Sequence, residues 1–248
     1  MAALWPVGAR AADFTVANGQ TVTARQTLNP GDTGTVNAGG TLRITSGGNE
    51  AVRSAGSGGT VTISNSGTIE QLGTGRAVRN QSTSTVLILN NSGTVSAVGD
   101  DTFKSAGDAR ITNLGTIWQK GTAPGSGQAL DLRDATAGFV TNGSASNGSA
   151  LIRADGDDAL RPGSNMTITN YGTIVTNGTV NTKCPDYLGA TCAGAPSAHD
   201  AIDAGGNTGV IVNNSGTISG SRHGITADTG ITVTNYAGGT IIGRNGSG

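Results

Sequence analysis

Aromatic side chains are nearly missing from this chain, which has 3 Phe, 3 Tyr and 2 Trp in 248 residues. Charge is sparse as well: 15 Lys and Arg stand against 16 Asp and Glu, for a net charge of −1. The basic residues are scattered, never more than two together. That excludes the basic stripe of a nucleic-acid-binding surface and removes any electrostatic attraction to an anionic membrane. No apolar run approaches the ~20 residues that a membrane-spanning helix needs. Cysteine is limited to Cys184 and Cys192. Two thiols fall short of the roughly four ligands of a structural zinc site, and one close pair suits an oxidising compartment.

What fills the chain instead is small. Gly (42), Thr (35), Ser (20) and Asn (20) account for 117 residues. These types are poor in helix interiors, and no Gly-X-Y period marks a collagen. Disorder is disfavoured too, because disordered chains combine few aliphatics with high charge, whereas this one is 35% hydrophobic. A short-repeat β protein fits best.

The repeat can be read by hand. Asn-x-Gly-Thr-(Ile/Val) begins at Asn65, Asn91, Asn113, Asn170 and Asn214, with looser copies at Asn18, Asn37, Asn142 and Asn235. Successive copies lie 19 to 29 residues apart, except for 44 between Asn170 and Asn214. Upstream of each full copy runs a short alternating segment such as Val61-Thr-Ile63 or Val210-Ile-Val212. Further upstream comes a polar residue, a small one and an apolar one: Glu50-Ala-Val52, Arg76-Ala-Val78, Asp101-Thr-Phe103, Gln128-Ala-Leu130, Asp158-Ala-Leu160, Asp200-Ala-Ile202 and His223-Gly-Ile225. Three runs of period-two alternation per unit predict three short strands. The Asn falls where the chain must bend, and the Gly two residues later relaxes that turn.

A unit this short cannot bury its own apolar face, but stacking supplies each strand with a partner. The expectation is an all-β, right-handed, single-stranded parallel β-helix of about 8–9 coils. At about 4.8 Å per coil it would be a rod roughly 40 Å long, with the Asn side chains stacked in a ladder. Residues 13–248 form one domain on this reading. Residues 1–12, with Ala9-Arg10-Ala11 before Ala12-Asp13, read as the remnant of a signal peptide or as an ordinary terminus.

Irregular places are where function could sit. The wide spacing after Asn170 implies an insertion at 181–197 that emerges as a loop. It holds the candidate binding residues Lys183, Asp186 and Tyr187, the last two between Cys184 and Cys192, whose disulfide would clasp the loop if formed. The loop is either decorative or a recognition element. Asp155-Gly-Asp157-Asp158 invites a calcium reading but lacks the spaced ligands of an EF-hand loop, so a solvated turn is expected. His199 and His223 sit in no metal spacing and no nucleophile motif. No motif requires a cofactor.

Sugar-cleaving enzymes group carboxylates in a cleft. Glu50, Asp101, Asp131, Asp134, Asp155, Asp157, Asp158, Asp200 and Asp203 are the candidates, of which Asp101, Asp158 and Asp200 share one coil position. A repeat with a solvent-facing polar position would place them there by default. Thr-x-Thr pairs such as Thr21–Thr23, Thr60–Thr62 and Thr232–Thr234 recur in too few coils to favour an ice-binding lattice.

The Asn-Ser-Gly-Thr-Ile segments with their upstream Asp-Ala-Ile resemble the passenger region of Gram-negative autotransporters, the type V secreted proteins, over about residues 40–240. The resemblance implies export to the cell surface or beyond and an outer-membrane barrel translocator in the full-length protein. It also implies an adhesive or self-associating role toward host glycan, matrix or protein. The barrel and any preceding protease domain are absent from this sequence. A non-catalytic surface module is therefore the leading expectation, and a β-helical polysaccharide lyase or glycoside hydrolase is its rival.

Overall fold

In a strand, alternate side chains point to opposite faces, so each short run offers one or two aliphatic residues for burial. Three such runs per coil wall off a narrow prism. The computed structural model describes residues 13–177 and 199–244. Among these residues there is no helix, and the strands form three parallel sheets of nine, nine and eight strands stacked as a solenoid. The first face runs from Phe14–Val16 to Ile231–Asn235, the second from Thr21–Val22 to Thr240–Gly243, and the third from Gln26–Leu28 to Ile225–Thr226. The expected β-helix of three strands per coil is observed.

The core is a set of columns. On the second face Leu42, Ile69, Val95, Ile117, Ile152 and Ile174 follow one another in register and are wholly buried. Val52, Val78, Phe103, Leu130, Leu160 and Ile202 do the same on the third. Each buried aliphatic stabilises by roughly 1.5–3 kcal/mol.

A third column is polar. Asn65, Asn91, Asn113, Asn142, Asn170 and Asn214 close successive first-face strands, point inward and are at most 2% exposed. Each Nδ2 donates to the Oδ1 of the next Asn, at 2.7 to 2.9 Å. It also donates to a backbone carbonyl at the start of the next second-face strand, for example Asn91 to Thr116 O at 3.2 Å. The ladder keeps register across the long gap, since Asn170 still meets Asn214.

Two sequence expectations are corrected. Asn18 and Asn37 do not join the ladder: they lie exposed in turns, while Val16 and Val36 occupy the ladder column in the first two coils. The Gly of the motif does not serve as a loose turn residue either. A Cβ on Gly93 would come within 2.1 Å of Gly67 O, and one on Gly115 within 2.2 Å of Gly93 O, so these glycines stack backbone on backbone.

Candidate functional site

Charge concentrates on the third face. Its outward row reads Arg53, Arg79, Lys104, Asp131 and Arg161 in register. Beside it runs the polar position that precedes each Ala-apolar pair, occupied by Glu50, Arg76, Asp101, Gln128, Asp158, Asp200 and His223. That position is not the solvent-facing one that the sequence suggests. Glu50, Asp101, Gln128, Asp158 and Asp200 are all 5% exposed or less.

The reason is a repeated hydrogen bond between coils. Asp101 Oδ1 accepts from Gln128 N at 3.0 Å, Asp158 Oδ1 from Asp200 N at 2.7 Å, and Asp200 Oδ1 from His223 N at 3.1 Å. The carboxylate of one coil thus satisfies a backbone amide of the next. Its charge is then met by a cation. Arg76 Nε reaches Asp101 Oδ2 at 2.9 Å, Arg161 Nε reaches Asp158 Oδ2 at 2.8 Å, and Arg222 holds Asp200 with a two-pronged grip at 2.9 and 2.6 Å. Arg79 reaches Glu50 at 3.1 Å. Asp131 is flanked by Lys104 and by Arg133, the latter at 2.8 Å.

Arg76, Lys104, Asp131, Arg133, Asp157 and Arg161 are among the residues that line an open cleft of about 260 Å³ on this face. In this cleft and along the same face the carboxyl pKa values diverge. Burial raises Asp101 above the usual carboxylate range. Burial acts the same way on Asp131, but Arg133 and Lys104 together hold it below that range. Burial raises Asp158 to about 6 despite Arg161, and Asp157 and Asp200 nearby add to the effect. Asp200 is likewise pushed up by burial, yet Arg222 brings it below its ordinary value. A raised and a lowered carboxyl side by side is the combination that acid–base chemistry uses. Here, however, each of these four carboxylates is tied to an arginine, a lysine or a backbone amide.

Asp157, Asp158 and His199 bring three ligand-type atoms within 4.8 Å of one another. His199 Nδ1 lies 3.5 Å from Asp157 Oδ1 and 3.9 Å from Asp158 Oδ1, and burial lowers the pKa of its imidazole, so the ring is neutral at pH 7. Arg161 already contacts both carboxylates, at 3.3 and 2.8 Å. The group is therefore an internal ion-pair node rather than the solvated turn expected from sequence. Asp155 belongs to a separate cluster, accepting from Trp118 Nε1 at 2.9 Å and from Arg153 Nε at 2.6 Å.

The first face is the opposite. One outward row reads Thr15, Thr35, Ser64, Asn90, Thr112, Thr141, Thr169, Asn213 and Thr234 in register, a hydroxyl or amide on every strand. The row beside it reads Thr33, Thr62, Ile88, Arg110, Phe139, Thr167, Ile211 and Thr232, with Arg110 its single charge. Thr-x-Thr pairs within single strands do not mark this surface. The row exists across strands, where Asn and Ser stand in for Thr.

The five motif asparagines singled out from sequence, Asn65, Asn91, Asn113, Asn170 and Asn214, are brought together in the ladder. Lys183, Asp186, Tyr187, Cys184 and Cys192 lie outside the described residues, as do residues 1–12. No protein-family model matches the chain, and neither a curated protein nor a solved structure matches it.

Proposed function

We propose that this chain is an exported, non-catalytic β-helical surface module, adhesive toward glycan or matrix through its first face. The observation that carries the reading is the unbroken row of Thr, Ser and Asn from Thr15 to Thr234, repeated at the strand spacing of about 4.8 Å. A regular row of neutral donors and acceptors suits a ligand that is itself a repeating, hydroxyl-rich polymer. Each contact is weak, and many act together. The division of charge supports it: third-face carboxylates are committed to the solenoid's own amides and arginines. An autotransporter passenger is the secretory setting that the repeat suggests, with the barrel translocator encoded in the full-length gene.

The test is binding to immobilised polysaccharides and matrix proteins, with Thr112→Arg and Thr169→Arg as the disrupting pair. Weakened binding at unchanged melting temperature is expected. Unchanged binding in that double variant would remove the first face from the proposal.

The rival reading is a glycoside-cleaving cleft on the third face, favoured by the raised Asp101 beside the lowered Asp131. Release of reducing or unsaturated sugar ends from polysaccharides, abolished by Asp131→Asn in a folded variant, would establish it in place of the adhesive module.

A further inference from the structure

The outward row of the third face changes character along the rod. From Lys104 onward its charges alternate from coil to coil. Lys104 pairs with Asp131, Arg161 follows Asp131 in register, and Asp203 of the next coil lies 3.6 Å from Arg161. Before Lys104 the alternation fails. Arg53 and Arg79 stand in register on the neighbouring strands Val52–Ser54 and Val78–Asn80, and Lys104 follows Arg79 with no acid between. Two like charges one strand spacing apart, about 4.8 Å, repel each other.

A single carboxylate serves this stretch. Glu50 is buried and accepts from Arg79 Nη1 at 3.1 Å, with Arg25 Nη1 3.6 Å away. Burial pushes its pKa up, yet a backbone amide and Arg79, with Arg53 adding its field, bring it below the ordinary value. Glu50 is therefore ionised at pH 7, and three cations share one negative charge. Arg53 is the one left without a bond. Its guanidinium has neither an ion pair nor a hydrogen bond among the described residues. Its Nε is enclosed with no acceptor, while its terminal nitrogens are not enclosed. Leaving a charged donor unmet in this way is costly.

We infer that Arg25, Arg53 and Arg79 form a binding site for a dianionic oxyanion: sulfate or phosphate, free or as the terminal group of a phosphate monoester. Its two charges cancel the surplus that three arginines leave over Glu50. Guanidinium forks match the oxygens of such a group, and Arg79 already holds one oxyanion, the Glu50 carboxylate, in this manner. The terminal nitrogens of Arg53 are open, so the remainder of an ester can stay in solvent. The half-buried setting of Arg53 and Arg79 strengthens the attraction beyond its value in bulk water. The site stands independently of the adhesive reading of the first face.

The test is a titration of the whole chain, isotope-labelled at arginine, with sodium sulfate, ionic strength being held constant with sodium chloride. The Nε–H resonances of Arg53 and Arg79 should shift saturably, with one site per chain. Inorganic phosphate above its second pKa should do the same. Arg53→Gln has no partner to lose, should match wild type in melting, and should bind both anions about tenfold more weakly. Shifts that fail to saturate overturn the inference, as do equal shifts with chloride alone, which would mean screening only. Unchanged affinity in Arg53→Gln overturns it as well. Methyl phosphate separates the sources: binding equal to that of phosphate upholds the site for an esterified ligand, and its exclusion upholds it for the free ion.

Discussion

The first and third faces are built from the same coil with the same strand spacing, yet one is neutral and open while the other is charged and self-satisfied. The difference lies in what the backbone asks of each. The first-face row from Thr15 to Thr234 carries neutral hydroxyls and amides throughout. On the third face the short strands leave amides at Gln128, Asp200 and His223 that need an acceptor from the coil before, and Asp101, Asp158 and Asp200 provide it. A buried carboxylate demands a cation, so arginines follow. Grouped acids on a β-helix are thus not in themselves evidence of catalysis.

The largest expected effect comes from the shared scaffold beneath both faces. Gly115→Ala would set a methyl 2.2 Å from Gly93 O, and the backbone must shift to admit it. A loss above about 4 kcal/mol is expected, among the most severe single substitutions, read as failure to fold or a large fall in urea midpoint. Asn113→Val comes next. It strips Asn142 Oδ1 of its donor and Asn91 Nδ2 of one acceptor, at a cost of about 2–4 kcal/mol. If it were as mild as a surface change, the ladder would be a consequence of stacking and not a cause.

Between the faces, Asp158→Asn sharpens the comparison through pH. Burial pushes the folded carboxyl up to about 6, against an ordinary value of 3.8. A raised folded pKa means that the neutral form favours the folded state. The stabilisation is therefore complete below about pH 4 and is lost as pH rises through 6. Wild type should fall relative to Asp158→Asn by up to roughly 3 kcal/mol across that window, seen as converging and then diverging urea midpoints at pH 4 and 7. Asp200 runs the other way. Its pKa is lowered, so its contribution holds above the unfolded value near 3.8 and fades only in stronger acid. The smallest structural effect belongs to the first face: Thr141→Val, half-buried and outward, should change stability by less than about 0.5 kcal/mol.

Much of the fold was legible in sequence because a solenoid repeats its evidence. The alternating runs and the motif Asn are enough to specify the coil, its three strands and the ladder. The errors have a common origin. Asn37 matched the motif while Val36 held the inward position, since a one-residue shift reverses which side faces the core. Asp158 read as solvated because a polar repeat position normally faces water, and its amide partner, Asp200, is 42 residues away. The roles of Arg76 and Arg222 were hidden for the same reason: the carboxylates they hold, Asp101 and Asp200, are supplied by adjacent turns. That small Thr, Ser and Asn residues would form polar faces was legible, but which of them line up from Thr15 to Thr234 is set by strand register.

The central claim is that the charged face holds the rod together while the neutral face meets the ligand. It is tested most directly by measuring urea midpoint and polysaccharide binding together in two variants, Asp200→Asn and Thr141→Arg. Asp200→Asn should cost about 1–3 kcal/mol of stability, read as a lower midpoint, because His223 N and the Arg222 fork are left poorly matched, with binding unchanged. Thr141→Arg should reduce binding and leave the midpoint where it was. The reverse pattern, a third-face substitution that abolishes activity toward glycan while the first-face variant behaves as wild type, would contradict the account.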